Sequence, residues 1–358
     1  MINVTQTFLP PLEEYTAYLE RIWKSKWLTN RGELVQEMEA KLKDFLSVKH
    51  LLAVNNGTIA LQIAIKALAL QGEIITTPFS YVATVSSIVW ENCQPVFVDI
   101  DENYLTVDET KIEEVITDKT SAILATHVYG NPCNVEAIQA IAEKHNLKVI
   151  YDAAHCFGVK YKNESVLNWG DVSTLSFHAT KLFHTGEGGG IVCRDEEIAD
   201  KIFYHHNFGH KGTEEFFGLG INGKMSELNA AMGLAVFPHL ERIIADRKNA
   251  CALYDSLLSE VDLRKPILRQ GTEETFSYYP VVFPTEARLL EVQEKLNQSE
   301  IFPRRYFFPS LGRLPYVGKS ELPITDDVCR RVMCLPLFVE IGEENIFRIC
   351  QIIKSCVL

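Results

Sequence analysis

Apolar positions recur along this chain with two different periods. Leu34, Val35, Met38, Leu42, Phe45 and Leu46 return at three- and four-residue spacing, which predicts an amphipathic helix over 33–46. "HLLAVNN" then reads as a buried strand, and "GTIALQIAIKALAL" as a helix opening at Gly57-Thr58. Short β-rich runs follow at "EIITTP", "QPVFVDID", "SAILATHVYG", "LKVIYDAA", "VSTLSF" and "GGGIVCRD", with helical patterns between several of them, notably 134–145. Strand and helix alternating in this way predict an α/β fold with a mainly parallel sheet covered on both faces. Over 226–259 the pattern becomes long helix, broken at Pro238. Beyond 260 come a strand at "YYPVVF", a helix at "EARLLEVQEKLNQ" and an irregular proline- and arginine-bearing loop, "FPRRYFFPSLGRLPYV". The change of texture suggests a large domain over 1–240 and a smaller one over 241–358.

Composition narrows the class of protein. A chain of 358 residues can bury two cores, and 47% apolar with 23% charged residues is ordinary for a soluble globular protein. The formal charge of −12 lacks the basic footprint of a nucleic-acid binder, yet leaves room for an anionic small ligand held by local cations. The N-terminus has no basic region followed by an apolar run, and no stretch approaches the ~20 apolar residues of a membrane span. Nine scattered cysteines without a CxxC pair read as buried, reduced thiols of a cytoplasmic protein, Cys156 among them as a small packed side chain.

Ligands of open α/β sheets bind at the carboxyl ends of strands, and four features fall there. "NNGTIA" turns from strand into helix, so Gly57 and Thr58 offer an anion site suited to a phosphate; the alternative is a plain helix start capped by Asn56 or Thr58. "VIYDAAHCFG" ends an apolar strand with Asp152, which either caps the next turn or keeps a heteroaromatic nitrogen protonated. His155 reaches a polar atom of the same ligand or is structural. Tyr81 or Phe79, in "PFSYVAT", either stacks on a planar ligand or belongs to the core. Lys181, among Ala179, Thr180, Leu182 and Phe183, is either a lysine snorkelling to solvent or an amine of lowered pKa able to trap a carbonyl. A phosphate cradle, an acid for a ring nitrogen, an aromatic face and such a lysine together describe pyridoxal phosphate.

On these residues the chain resembles the DegT/DnrJ/StrS-type sugar aminotransferases, pyridoxal-phosphate enzymes of the aspartate-aminotransferase fold. The resemblance runs from "KSKWLTNRGELVQEME" at 24–39 to "CLPLF" at 334–338. It centres on "SFHATKLFHTGEGG", which is similar to the family's Ser-Phe-x-x-x-Lys followed by Gly-Glu-Gly-Gly. The resemblance implies a seven-stranded, mainly parallel sheet in the large domain and a smaller C-terminal α+β domain. It implies that Lys181 bonds to the cofactor and moves protons, Asp152 holds the pyridine nitrogen, and Tyr81 stacks on the ring. Gly57, Thr58 and Ser176 would bind the phosphate, and His155, where many members have glutamine, would reach the phenolic oxygen. "GINGKMSELNAA" resembles the segment whose asparagine, here Asn222, reaches the phosphate of a neighbouring subunit, implying a homodimer with shared active sites.

"TLSFHATKLFHT" and "IFPRRYFFPSL" are similar to the members that use L-glutamate to aminate dTDP-4-keto-6-deoxyglucose at C-4, a step that serves surface-glycan assembly. Arg304 and Arg305 are then candidates for a fork-like contact to the sugar's diphosphate, or a surface arginine pair. A C-3 or UDP-sugar aminotransferase and a non-catalytic regulator on the same fold remain the competing readings. The resemblance implies no metal and no nucleic-acid or membrane partner.

Overall fold

A computed structural model describes residues 1–357. Its centre is a seven-stranded sheet whose spatial order is His50–Val54, Gly189–Cys193, Val172–Ser176, Lys148–Asp152, Thr120–Thr126, Glu73–Thr76 and Gln94–Phe97. Only Gly189–Cys193 runs antiparallel to its neighbours; the other pairs are parallel. Side chains alternate across the sheet, so Ile123, Val149 and Tyr151 enter one apolar cluster with Met38, Leu42 and Phe183. Leu124, Ile150 and Ile191 enter the other, with Val54, Ile63 and Ile74. Burial on both faces explains why these strands read as continuous apolar runs.

The helices predicted at 33–46, from Gly57 and at 134–145 form as Glu33–Leu46, Gly57–Ala67 and Val135–His145. The long helical stretch is interrupted where expected: Glu227–Val236 gives way to a 3-10 turn at Phe237–His239, then to Leu240–Leu258. Proline has no N–H for the helical ladder, which accounts for the break. All nine cysteines are buried and unpaired.

A separate apolar cluster gathers Tyr254, Val281, Phe283, Leu289, Leu296, Ile349 and Ile353. It is built on an antiparallel pair, Tyr279–Val282 with Val332–Leu335, and on helices Leu240–Leu258, Glu286–Gln298 and Glu343–Val357. Ile2 also belongs to it, because Ile2–Asn3 pairs in parallel with Ile301–Phe302. The first residues of the chain thus lie with this second core, a return that a boundary drawn by chain position does not contain.

Two glycines let the backbone close up at the carboxyl end of the sheet. A Cβ on Gly189 would lie 2.6 Å from the main-chain carbon and oxygen of Asn56, and one on Gly57 would lie 3.1 Å from Ser176 Cβ. Helix Gly57–Ala67 therefore starts hard against two strands. Gly189→Ala should destabilise the fold by about 3 kcal/mol through this overlap; a denaturation midpoint equal to that of the parent protein would contradict the packing described.

Candidate active site

A cavity of ≈ 650 Å³ opens at the carboxyl ends of the strands and contains Gly57, Thr58, Tyr81, Asp152, His155, Ser176, Lys181 and Arg304. Seven of the cofactor-site candidates from four separate strand ends thus meet in one place; Asn222 does not join them.

The anion end is the start of helix Gly57–Ala67. Asn56 is the N-cap, its side chain accepting from Ile59 N at 2.8 Å, so Thr58 is free of capping duty. Gly57 and Thr58 carry first-turn N–H groups that no helical carbonyl can reach, and Ser176 brings a hydroxyl alongside. Together they form a cradle for a phosphate.

Asp152 ends its strand fully buried. Thr84 Oγ1 donates to its Oδ2 at 2.7 Å and Ala154 N to its Oδ1 at 3.1 Å. Loss of hydration raises its pKa, opposed by those two donors and by the nearby Lys181. A protonated ring nitrogen is the kind of partner that would relieve this burial. Thr84 is in turn bonded to Ser80 at 2.7 Å, and Thr126 donates to Ser80 at 3.0 Å, so the carboxylate is oriented by a buried hydroxyl chain.

His155 accepts the main-chain N–H of Tyr129 on Nδ1 at 3.1 Å, which puts the proton of the neutral ring on Nε2. Burial, and secondarily Lys181, holds its pKa well below the ordinary histidine value. The ring is therefore a fixed Nε2–H donor. Of the two aromatic candidates, Phe79 is wholly buried against Tyr129 and Phe307, whereas Tyr81 is 56% exposed and lines the cavity. Tyr81 is therefore the ring that a planar ligand in the cavity would meet.

Lys181 sits in a loop laced by main-chain bonds from Phe177 N to Gly188 O, Ala179 N to Gly186 O and Thr185 N to Phe177 O. Leu182 and Phe183, the apolar neighbours that made this lysine conspicuous, are buried anchors. They leave the amine inside the cavity, donating to Tyr278 Oη at 3.0 Å. Burial lowers its pKa, while Asp152, Tyr306 and Tyr81 oppose that shift. A desolvated lysine with no ion pair among the described residues is suited to carbonyl chemistry.

Two expectations need correction or restatement. Arg304 and Arg305 do not form a fork. Arg304 lines the cavity, but Arg305 turns away, bonding Glu286 at 2.9 Å and the Arg330 carbonyl at 2.9 Å, with its guanidinium over the Phe308 ring. Adjacent residues in an extended segment point to opposite sides, and an acid was waiting on one of them. Asn222 is exposed, outside the cavity lining of its own chain, and accepts from Lys224 at 2.7 Å. Sequence reasoning missed Tyr278 and Thr84; the first lay inside a run read only as a strand, the second inside "PFSYVAT", read only for its aromatic rings.

A helix-borne anion cradle, a buried acid at a strand end, an aromatic face and a half-buried lysine fit pyridoxal phosphate group by group. They define a fold and site of the pyridoxal-phosphate aminotransferase class. Comparison with known proteins agrees. The model of the DegT/DnrJ/EryC1/StrS aminotransferase family matches residues 12–354. A dTDP-4-amino-4,6-dideoxy-D-glucose transaminase of Shigella dysenteriae is 44% identical, covering 99% of this chain and 98% of its own. One of Escherichia coli is 42% identical, covering 98% of each. Among solved structures, DesI in the presence of its TDP-sugar product superposes with a TM-score of 0.94 at 31% identity, covering 99% of this chain and 92% of that one. The chain belongs to the DegT/DnrJ/EryC1/StrS family and is a pyridoxal-phosphate-dependent sugar aminotransferase.

The raised pKa of Asp152 has a consequence for the cofactor-free protein. Its contribution to stability is full below the unfolded-state carboxyl pKa and is lost as pH rises through the higher folded value. Asp152→Asn should therefore raise the melting temperature of cofactor-free protein at neutral pH, with no gain near pH 4. A variant that melts lower at neutral pH would show that the carboxylate is not penalised there.

Proposed function

We propose that this enzyme transfers an amino group from L-glutamate to C-4 of dTDP-4-keto-6-deoxy-D-glucose, giving dTDP-4-amino-4,6-dideoxy-D-glucose. The carrying observation is the half-buried Lys181 amine in one cavity with Asp152 and the Gly57–Thr58 helix start. The near-full-length similarity to transaminases of that aminosugar supports the choice of substrate.

Bound pyridoxal phosphate supplies an electron sink and stores the amino group between half-reactions. The chain supplies the rest. Gly57 N, Thr58 and Ser176 would hold the phosphate, Asp152 would keep the pyridine nitrogen protonated, and His155 Nε2–H would donate to the phenolic oxygen. Tyr81 would cover one face of the ring. Lys181 Nζ would hold the cofactor at rest and would move the proton at the α-carbon of the amino donor and at the sugar carbon that is aminated. Arg304, the one arginine of the pair on the cavity, meets the sugar's diphosphate. Asn222, beside Asn55 at the cavity edge, serves the phosphate of a second copy, so the working unit is a homodimer. No described helix is long and apolar enough to cross a membrane; we place the enzyme in the cytoplasm, where nucleotide-linked sugars are made.

Purified protein should be yellow, should bleach with glutamate, and should convert the dTDP-keto sugar to an amine that NMR places at C-4. Lys181→Ala should lack both colour and turnover; full activity in that variant would sink the assignment. The arginines should separate kinetically. Arg304→Ala should raise KM for the nucleotide sugar by about 10- to 100-fold, as expected for a lost charged contact. Arg305→Ala should leave that KM within about twofold, and equal effects would show that both arginines read substrate.

A further inference from the structure

Tyr278 is the one hydrogen-bond partner of the Lys181 amine among the described residues, its Oη accepting from Nζ at 3.0 Å. The Tyr278 hydroxyl donates to no other described group, so its own proton is uncommitted. Its position is fixed from several sides. Arg247, buried on helix Leu240–Leu258, donates Nη1 to the carbonyls of Phe276 at 3.5 Å and Ser277 at 3.1 Å. Ser277 Oγ donates to the His155 carbonyl at 2.9 Å. The ring packs on His155 at 4.6 Å and edge-on to Tyr306 at 5.8 Å between centroids.

We propose that Tyr278 is a further catalytic residue, whose hydroxyl holds the Lys181 amine between proton transfers and supports its protonated form. The inference rests on Lys181 being the amine that moves protons. When Nζ takes a proton from the α-carbon, the C–H bond breaks and its electron pair is left to the cofactor. Nζ becomes an ammonium with one N–H on Tyr278 Oη. Delivery of a proton from Nζ to the neighbouring carbon restores the neutral amine, and Tyr278 itself gains and loses nothing. An amine that swings freely would meet the second carbon less often, and an amine with no acceptor would be too weak a base.

The groups facing Nζ are Asp152, Tyr81, Tyr306, His155 and Tyr278, with Arg304 across the cavity. His155 stays neutral, and burial holds the Tyr278 hydroxyl far above the ordinary phenol range, so neither changes charge near neutral pH. A hydrogen bond to the ammonium is stronger than one to the amine, so Tyr278 works against the burial that weakens Lys181 as a base.

Tyr278→Phe removes one oxygen and keeps the ring. In cofactor-free, full-length protein the apparent pKa of Lys181, followed by 13C NMR after reductive methylation with formaldehyde, should fall by about one pH unit. In the holoenzyme, kcat of both half-reactions should fall about 10- to 100-fold, with KM for glutamate within about twofold. Arg247→Lys keeps the hydroxyl but loosens the carbonyl clamp, and should move both readings the same way by less. Unchanged Lys181 pKa and kcat in both variants would overturn the inference, as would a loss of thermal stability without kinetic change. An active Lys181→Ala enzyme would instead overturn the assignment beneath it.

Discussion

Two ionisable side chains, Asp152 and His155, are buried and a third, Lys181, is half-buried in one cavity, and that desolvation governs the rest of the site. Burial pushes the acid up and the two bases down, so each leans toward its neutral form. Neutral groups in a low dielectric still need directed hydrogen bonds, because an unmatched polar atom there costs free energy. Each is supplied: Thr84 and Ala154 for the acid, the Tyr129 N–H for the imidazole, and the Tyr278 hydroxyl for the amine. These partners fix where every lone pair and proton points. The site is thereby oriented by the protein's own contacts.

The sheet makes that crowding possible. Parallel strands put several carboxyl ends at one edge, and Asp152, Ser176 and the Thr126–Ser80–Thr84 hydroxyl chain all stand there. The antiparallel Gly189–Cys193 strand returns the chain beside Val172–Ser176, so the intervening loop is forced back over the sheet's end. Asn229 reinforces that loop by donating to the Thr185 carbonyl at 2.9 Å. Lys181 is thus carried by a rigid hairpin-like lid whose apolar residues are spent on anchoring.

What was legible in the sequence follows from range. Strand and helix periods are local, and they located all seven sheet strands as well as the start of helix Gly57–Ala67. Lys181, Asp152 and Gly57 could be picked out because each breaks a local rule: a charge or a glycine where an apolar run ends. Tyr278 breaks none, since a tyrosine beginning a β-rich run is ordinary. Its meaning lies in a contact with a residue 97 positions away. The arginine pair fails as a sequence signal for the same reason, because the Glu286 that captures Arg305 is defined only by the fold. The Ile2–Ile301 pairing is likewise invisible to any local period.

The two cores also divide the chemistry. Groups suited to the cofactor come from the sheet and its loops, before residue 190. Tyr278, Arg304, Tyr306 and Phe307 come from the later part of the chain and close the cavity from the other side. Phe307 stacks parallel to His155 with centroids 5.8 Å apart, and the Tyr129 hydroxyl donates to the Tyr306 carbonyl, so the two sides are tied together at the site. Arg304, Tyr306 and Phe307 therefore line the same cavity as Asp152, His155 and Lys181. A substitution there to change which sugar fits would disturb His155 and Tyr129 as well, and the reach of Lys181 through Tyr278. On the proposed roles, substrate choice and proton transfer share packing even at Arg304, because its guanidinium lies over the Tyr306 ring, 5.2 Å from the centroid, and Tyr306 packs edge-on to Tyr278.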